Sequence, residues 1–122
     1  MEKLSASLED YLEVIWNSLQ GEKNLRAVDI SKKLNISRAS VTEALKKLAE
    51  REYIHYGRYD SISLTEKGRE IACSVASKHS ILQSFFEGTL GLTPEEASEN
   101  ACKIEHVITE NAFKKISELV KR

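Results

Sequence analysis

The chain has 122 residues, 41% of them hydrophobic, with one proline, five glycines and a formal net charge of −1. This length allows one domain or two small domains that share a core, and the composition leaves little room for disorder. No stretch is long and apolar enough to cross a membrane, and the N-terminus lacks a signal peptide's apolar core, so we expect a cytoplasmic protein without a membrane partner. Cys73 and Cys102 are too few and too far apart for a disulfide framework.

The charge is unevenly distributed along the chain. Residues 26 to 69 contain ten Lys and Arg and six Asp and Glu. The rest of the chain contains eight Lys and Arg and thirteen Asp and Glu. The basic segment favours a polyanion such as DNA as a partner. The acidic remainder favours cations.

The first predicted element is a helix from about Ser7 to Leu19. Ser7 is a plausible N-cap, and Gly21 follows the last apolar position. Asp10 and Glu13 are three residues apart and therefore share one flank of this helix. Acidic residues in a first turn usually complement the helix dipole, and this simple interpretation accounts for both of them.

Two short helical patterns follow between residues 28 and 48, and they meet at Asn35. Asn tolerates the left-handed conformation that such a turn requires. Ile36 is expected to point into the core and Ser37 to cap the second helix. The second helix would bury Val41, Leu45 and Leu48, spaced i, i+4, i+7. The layout is that of a helix-turn-helix, whose second helix enters the major groove.

The outward face of the second helix supplies the candidate base contacts. Arg38 suits guanine, Ala39 a thymine methyl group, and Glu43 a cytosine amino group. The alternative is an ordinary helical hairpin with a solvated outer face. Including a residue of the following hairpin, the candidate DNA-binding residues are Ser37, Arg38, Ala39, Ser40, Thr42, Glu43, Lys46 and Arg58.

A β-hairpin is predicted next. Apolar residues alternate in two arms, 53–56 and 61–64, and Gly57 to Asp60 form the turn. A hairpin directly after a helix-turn-helix is a wing, with Arg58 at its tip placed to contact phosphate or the minor groove.

Three more helices are predicted, so the expected fold class is mainly α with a small β-hairpin wing. Thr65, Thr93 and Thr109 are their expected N-caps. Pro94 is expected at the first position of the helix that Thr93 caps. Cys73 is interpreted as a small buried hydrophobe, and Val107 as an inward position.

Cys102, Glu105 and His106 form the second informative motif. They are three and four residues apart, so they share one helical face. A thiolate, a carboxylate and an imidazole together are a transition-metal ligand set. A Cys–His nucleophilic pair is the alternative, but no oxyanion-hole loop or third orienting group accompanies it, and no catalytic residue is predicted.

These motifs occur together in a recognisable order. They are Glu9-Asp-Tyr-Leu-Glu13, Val28-Asp-Ile-Ser31, Val41-Thr-Glu-Ala-Leu45, Leu64-Thr-Glu-Lys-Gly68, Lys78-His79 with Phe85, and Cys102-Lys-Ile-Glu-His106. In this order, nearly the whole chain resembles the metal-dependent transcriptional repressors of the diphtheria-toxin-repressor and manganese-transport-regulator family.

The resemblance implies an N-terminal winged helix-turn-helix DNA-binding domain over residues 1–70. It further implies a helical metal-binding and dimerisation domain over 71–122, with divalent metal at their junction. Asp10, Cys102, Glu105 and His106 would be the principal ligands, and Glu13 and His79 match family positions that hold a second metal. The implied partners are double-stranded operator DNA and a second copy of the chain, and the implied activity is repression of metal-homeostasis genes.

The ligand set combines two branches of that family. Asp10 matches the manganese type, and Cys102 matches the iron type. Carboxylates favour Mn²⁺ and a thiolate favours Fe²⁺ or later metals, so both Fe²⁺ and Mn²⁺ remain candidates. In vitro, Zn²⁺, Ni²⁺, Co²⁺ or Cd²⁺ are further candidates.

Two rival functions are kept open. One is a winged-helix regulator that senses a small organic ligand or an oxidant through Cys102. The other is a metal-buffering or thiol enzyme whose winged helix binds protein.

Overall fold

The computed structural model describes residues 4–21, 24–57, 59 and 61–121. This part of the chain is mainly helical with one antiparallel hairpin, as predicted. Its elements, in order, are α1 (Ala6–Gly21), α2 (Ala27–Leu34), α3 (Arg38–Glu50), β1 (Ile54–Tyr56), β2 (Ile62–Leu64), α4 (Glu66–Gly88), α5 (Pro94–Ile104) and α6 (Glu110–Val120). Among the described helices, none is both long and apolar enough to cross a membrane.

The chain divides into two compact units, Met1–Cys73 and Ser74–Arg122. The division falls within α4. The first unit holds α1 to α3 and the hairpin, and the second holds α5, α6 and the rest of α4.

The first unit is built on one apolar cluster. α1, α2 and α3 each bury the stripe that their helical spacing predicts, and β1 and β2 close the cluster. The largest side chains without solvent exposure are Leu12, Ile15, Leu25, Ile30, Leu45 and Leu48.

The turn between α2 and α3 follows the predicted chemistry. Asn35 is left-handed, with φ 54° and ψ 49°, and its amide donates to the carbonyl of Ser31. The Ser37 hydroxyl accepts from the Ser40 amide at 3.2 Å and so caps α3. The expectation for Ile36 was wrong, because its side chain is 37% exposed. The turn is held instead by the Ile36 carbonyl, which accepts from the Ser31 hydroxyl at 2.6 Å.

The start of α1 also differs from the prediction. The helix begins at Ala6, so Ser7 lies inside it. The hydroxyl of Ser5 accepts from the Leu8 amide at 3.2 Å. Both serines precede the apolar stripe, and the sequence pattern alone did not separate them.

The wing has the predicted register. Ile54 pairs with Leu64 and Tyr56 with Ile62, so the apolar residues of both strands face the same side. The Ile62 amide also donates to the Leu25 carbonyl at 3.1 Å. This bond attaches the wing to the segment that leads into α2.

The junction between the wing and α4, which we call the wing seam, comprises Tyr53, Thr65, Lys67 and Gly68. The Thr65 hydroxyl caps α4 by accepting from the Gly68 amide at 3.0 Å, and it donates to the Glu52 carbonyl at 2.6 Å. The Thr65 amide donates to the Tyr53 carbonyl at 3.1 Å. The Lys67 ammonium lies 4.4 Å from the centre of the Tyr53 ring. Gly68 packs so closely that an added Cβ would lie 1.8 Å from the Tyr53 carbonyl oxygen.

In the second unit, Thr93 and Thr109 cap α5 and α6 as predicted, and Pro94 opens α5. Leu82, Ala97 and Ala101 are buried. Two expectations were wrong. Cys73 is exposed, and Val107 is 74% exposed because α5 ends before it.

Replacing Gly68 by Ala should destabilise the protein. The new methyl group meets backbone that cannot move aside without breaking the wing seam, and overpacking of this kind costs about 1–3 kcal/mol. Chemical denaturation followed by circular dichroism measures the loss. Gly88→Ala is the matched control, because its Cβ would meet nothing within 4 Å. Equal stability of the two variants would contradict the close approach at Gly68.

Candidate metal centre and DNA-binding face

The last turn of α5 positions the candidate ligands. Glu105 follows the final helical residue but keeps helical geometry, with φ −58° and ψ −28°, and its amide donates to the Ala101 carbonyl at 2.9 Å. The helical spacing therefore continues past Ile104. It places Cys102 and Glu105 on one face of α5.

The structure brings His79 of α4 into this group. Its Nδ1 lies 3.1 Å from Oε2 of Glu105 and 3.7 Å from Sγ of Cys102. The other carboxylate oxygen of Glu105, Oε1, lies 3.4 Å from Nε2 of His106. Two imidazoles thus bracket one carboxylate, with a sulfur atom beside the first.

Glu105 is only 2% exposed. Removing a carboxylate from water costs several kcal/mol unless positive charge or hydrogen bonds compensate. His79 and His106 stand at its two oxygens, and each can donate a hydrogen bond or carry positive charge. The buried carboxylate therefore favours a cation, or protons, at this position.

The donor set fits a divalent transition metal. His79, Cys102 and Glu105 each offer one ligand atom, and these atoms lie within 4.8 Å of one another. Ligands about 2.0–2.3 Å from an ion stand at most about 4–4.6 Å apart, so a small adjustment would close the set around one ion. Nitrogen, oxygen and thiolate sulfur together suit iron, cobalt, nickel and zinc, and the carboxylate also suits manganese.

Asp10 and Glu13, the other predicted ligands, lie on α1 in the first unit. Each is half-buried, and they are one helical turn apart. Their role as ligands remains a prediction.

The predicted DNA-contacting face is the solvent-exposed side of α3. Of the predicted residues there, Thr42 is half-buried and the others are exposed: Ser37, Arg38, Ala39, Ser40, Glu43 and Lys46. Ser37 and Ser40 also bond each other, hydroxyl to hydroxyl, at 3.0 Å, so both take part in the cap. Glu43 forms an exposed pair with Lys47 at 3.8 Å.

At the wing tip, Arg58 lies outside the described residues. Its neighbour Tyr59 is 85% exposed and takes a left-handed conformation with φ 62°. An exposed aromatic residue at a wing tip is available for contact with a partner.

The sequence did not single out Ser98. Its Oγ lies 3.4 Å from Nε2 of His79, on the side of the ring opposite Glu105. The available signal was spacing, because Ser98 stands four residues before Cys102 and so shares its face of α5.

The first unit is a winged helix in which α3, the second helix of the helix-turn-helix, has an exposed face. The second unit brings nitrogen, oxygen and sulfur donors together. This combination defines a DNA-binding protein with a candidate metal centre. Two family models match almost the whole chain. Residues 3–62 match the iron-dependent repressor N-terminal DNA-binding domain, and residues 65–122 match the metal-binding and dimerisation domain of the same family. The chain belongs to the iron-dependent repressor family of metal-dependent transcriptional regulators.

Individual relatives agree with this assignment. An uncharacterized HTH-type transcriptional regulator of Methanocaldococcus jannaschii is 37% identical over 114 residues, which cover 93% of this chain and 91% of that protein. The HTH-type transcriptional regulator MntR of Oceanobacillus iheyensis is 32% identical, covering 93% of this chain and 77% of that one.

A solved structure of a manganese-dependent transcriptional repressor in complex with manganese has the same fold. It superposes with a TM-score of 0.86 at 24% identity over 93% of this chain. The alignment covers 52% of that chain, so the present chain spans about half its length.

Replacing Cys102 by Ser should weaken binding of Zn²⁺ and Cd²⁺ more than binding of Mn²⁺. Zn²⁺ and Cd²⁺ prefer thiolate to oxygen ligands, whereas Mn²⁺ prefers oxygen ligands. Isothermal titration with each metal measures this selectivity. The absorption band from sulfur to Co²⁺ charge transfer should also disappear.

Cys73→Ser is the control for this experiment, since it removes the other cysteine, which is exposed on α4. If Cys73→Ser removed the charge-transfer band and Cys102→Ser kept it, the ligand assignment would be wrong.

Proposed function

We propose that this chain is a divalent-metal sensor that binds operator DNA as a homodimer in the cytoplasm and represses genes of metal homeostasis. It acts as a regulator, and the cluster around Glu105 has a binding role and no catalytic one. The observation that carries the proposal is the buried Glu105 carboxylate with His79, His106 and Cys102 around it.

Within the cluster, Cys102, Glu105 and His106 are proposed as principal ligands, and His79 as a ligand through Nδ1. The support is their common position at the end of α5 and the 3.1 Å and 3.7 Å distances of His79 from Glu105 and Cys102. When bound, the ion supplies positive charge to the buried carboxylate. Glu105 can then stay ionised away from water.

Asp10 and Glu13 of α1 are proposed to complete the coordination. The support is the resemblance to the family, in which the matching positions bind metal, and the acidic character of both side chains. In this proposal the ion links α1 to the end of α5. Without the ion, repulsion between carboxylates would oppose that linkage.

The link between metal and DNA follows from dimer geometry. A dimer binds two half-sites well only when its recognition helices are separated by one helical turn of DNA or a multiple of it. An ion that holds α1 in one orientation would also fix α3, since both helices share the core of the first unit. Metal and DNA then strengthen each other's binding by the same coupling energy, typically about 1–3 kcal/mol.

The proposed physiological metal is Fe²⁺ or Mn²⁺. The thiol of Cys102 supports iron, and the carboxylates support manganese. Zn²⁺, Ni²⁺, Co²⁺ and Cd²⁺ are expected to bind in vitro, because affinity at mixed donor sites rises along the first transition series.

Metal should strengthen DNA binding by roughly 5- to 150-fold, the range that such a coupling energy gives. Duplexes enriched from a random library by the Mn²⁺-loaded protein provide the DNA. Fluorescence anisotropy with Mn²⁺, with Fe²⁺ under anaerobic conditions, and with chelator then measures the dissociation constant at fixed salt.

A Glu105→Gln variant serves as the control, because it keeps the size of the side chain and removes its charge. Its DNA affinity should not respond to metal. Equal affinity of the unmodified protein with metal and with chelator would refute metal-dependent DNA binding. It would favour the rival regulator that senses an organic ligand or oxidant.

Two substitutions on α3 should separate base reading from phosphate binding. Glu43→Gln should change the preferred base at one operator position, since a carboxylate accepts only whereas an amide also donates. Lys46→Met should weaken binding to all sequences alike and lower the slope of log K against log salt by about one. Library selection measures the base preference, and salt titration measures the slope. An unchanged base preference in Glu43→Gln would show that Glu43 does not contact the bases.

A further inference from the structure

The His79 ring is contacted on both of its nitrogens. Nδ1 faces Glu105 and Cys102 at 3.1 and 3.7 Å, and Nε2 faces the Ser98 hydroxyl at 3.4 Å. His79 comes from α4, Ser98 and Cys102 come from α5, and Glu105 is the residue that follows α5. Ser98 is thus the group at the ring nitrogen that points away from the ligands.

A neutral imidazole carries one proton and one free lone pair, on different nitrogens. A nitrogen that binds metal must present its lone pair, so the proton must be on the other one. Because Nδ1 faces the carboxylate and the sulfur, metal binding through His79 requires the proton on Nε2. That nitrogen then needs a hydrogen-bond acceptor.

We propose that Ser98 is a positioning residue for the metal centre, whose hydroxyl accepts from Nε2–H and so directs the lone pair of Nδ1 toward the ion. This inference rests on the proposed metal-binding function. Ser98 itself does not contact the metal in this arrangement. It acts through His79, as partners of metal-binding histidines commonly do.

A hydroxyl is suited to this position because it can both donate and accept. When Nδ1 is protonated and donates to Glu105, the Ser98 hydroxyl donates to Nε2. When Nδ1 binds an ion, the same hydroxyl rotates and accepts from Nε2–H. Protons exchange with solvent between the two arrangements, so that Nδ1 is bare and Nε2 carries the proton when the ion is bound.

The fold keeps Ser98 in place for this role. It lies within α5, four residues before Cys102, so the helix fixes the spacing between the hydroxyl and the sulfur. Ser98 is half-buried, which limits competition from water for the Nε2 bond.

The tautomer of His79 is the first readout. Long-range ¹H–¹⁵N correlation spectra of the ¹⁵N-labelled full chain, loaded with Zn²⁺ as a diamagnetic probe, distinguish the metal-bound nitrogen from the protonated one. His79→Gln identifies its signals by difference. The expected result is Nδ1 bound to Zn²⁺ and a proton on Nε2, and a spectrum with Nε2 bound to Zn²⁺ would overturn the proposal.

Metal affinity is the second readout. Ser98→Ala should weaken Zn²⁺ and Mn²⁺ binding by roughly 10- to 100-fold, the usual effect of removing such a partner. Ser98→Thr keeps the hydroxyl and should restore most of the affinity. Ser84→Ala, the same change at an exposed position on α4, should have no effect.

The experiment separates the two proposals. If the unmodified protein binds neither metal, the proposed function fails. If it binds Zn²⁺ through Nδ1 of His79 but Ser98→Ala binds equally well, only the role of Ser98 is refuted. Thermal unfolding of the metal-free variants checks that Ser98→Ala does not act by unfolding the chain.

Discussion

The contact between the buried Glu105 carboxylate and the His79 imidazole is the interaction on which the chemistry of the helical unit depends. A carboxylate in this position is costly unless neighbouring groups compensate it, and a histidine nitrogen lies near each of its oxygens, at 3.1 Å for His79 and 3.4 Å for His106. The contact also joins α4 to the end of α5. The same side chains therefore both connect the two helices and form the proposed metal centre.

The small side chains on α5 are part of this arrangement. Ala97 and Ala101 are buried without any exposed surface, one helical turn apart. Alanine has a small side chain, so larger residues at these two positions would not fit the same packing. Thr93 and Pro94 fix where the helix begins, and therefore where Cys102 and Glu105 fall on its surface. Capping thus contributes to the geometry of the candidate metal centre as well as to stability.

Much of the first unit could be predicted because local rules and packing agree there. Asn35 takes the left-handed turn, Ser37 caps α3, and Ile54 and Leu64 pair as the alternating pattern required. The errors fall where the pattern allowed more than one solution. Ile36 is apolar in a three-residue connection, but the bond to its carbonyl sets the turn and leaves its side chain half in solvent.

The candidate site was less predictable, because it depends on how separate helices pack. Helical spacing was enough to group Cys102 with Glu105. It gave no distance from His79, which is more than twenty residues away in sequence and arrives from α4. Ser98 carried no signal by itself, since a serine on a helix is most often a surface residue.

The wing seam determines how the hairpin can move. Thr65 is bonded to the backbone of both Tyr53 and Gly68, and the absence of a side chain at Gly68 lets the two segments touch. These contacts connect the hairpin directly to the start of α4. A change in the direction of the first turns of α4 would therefore be transmitted to the strands of the hairpin.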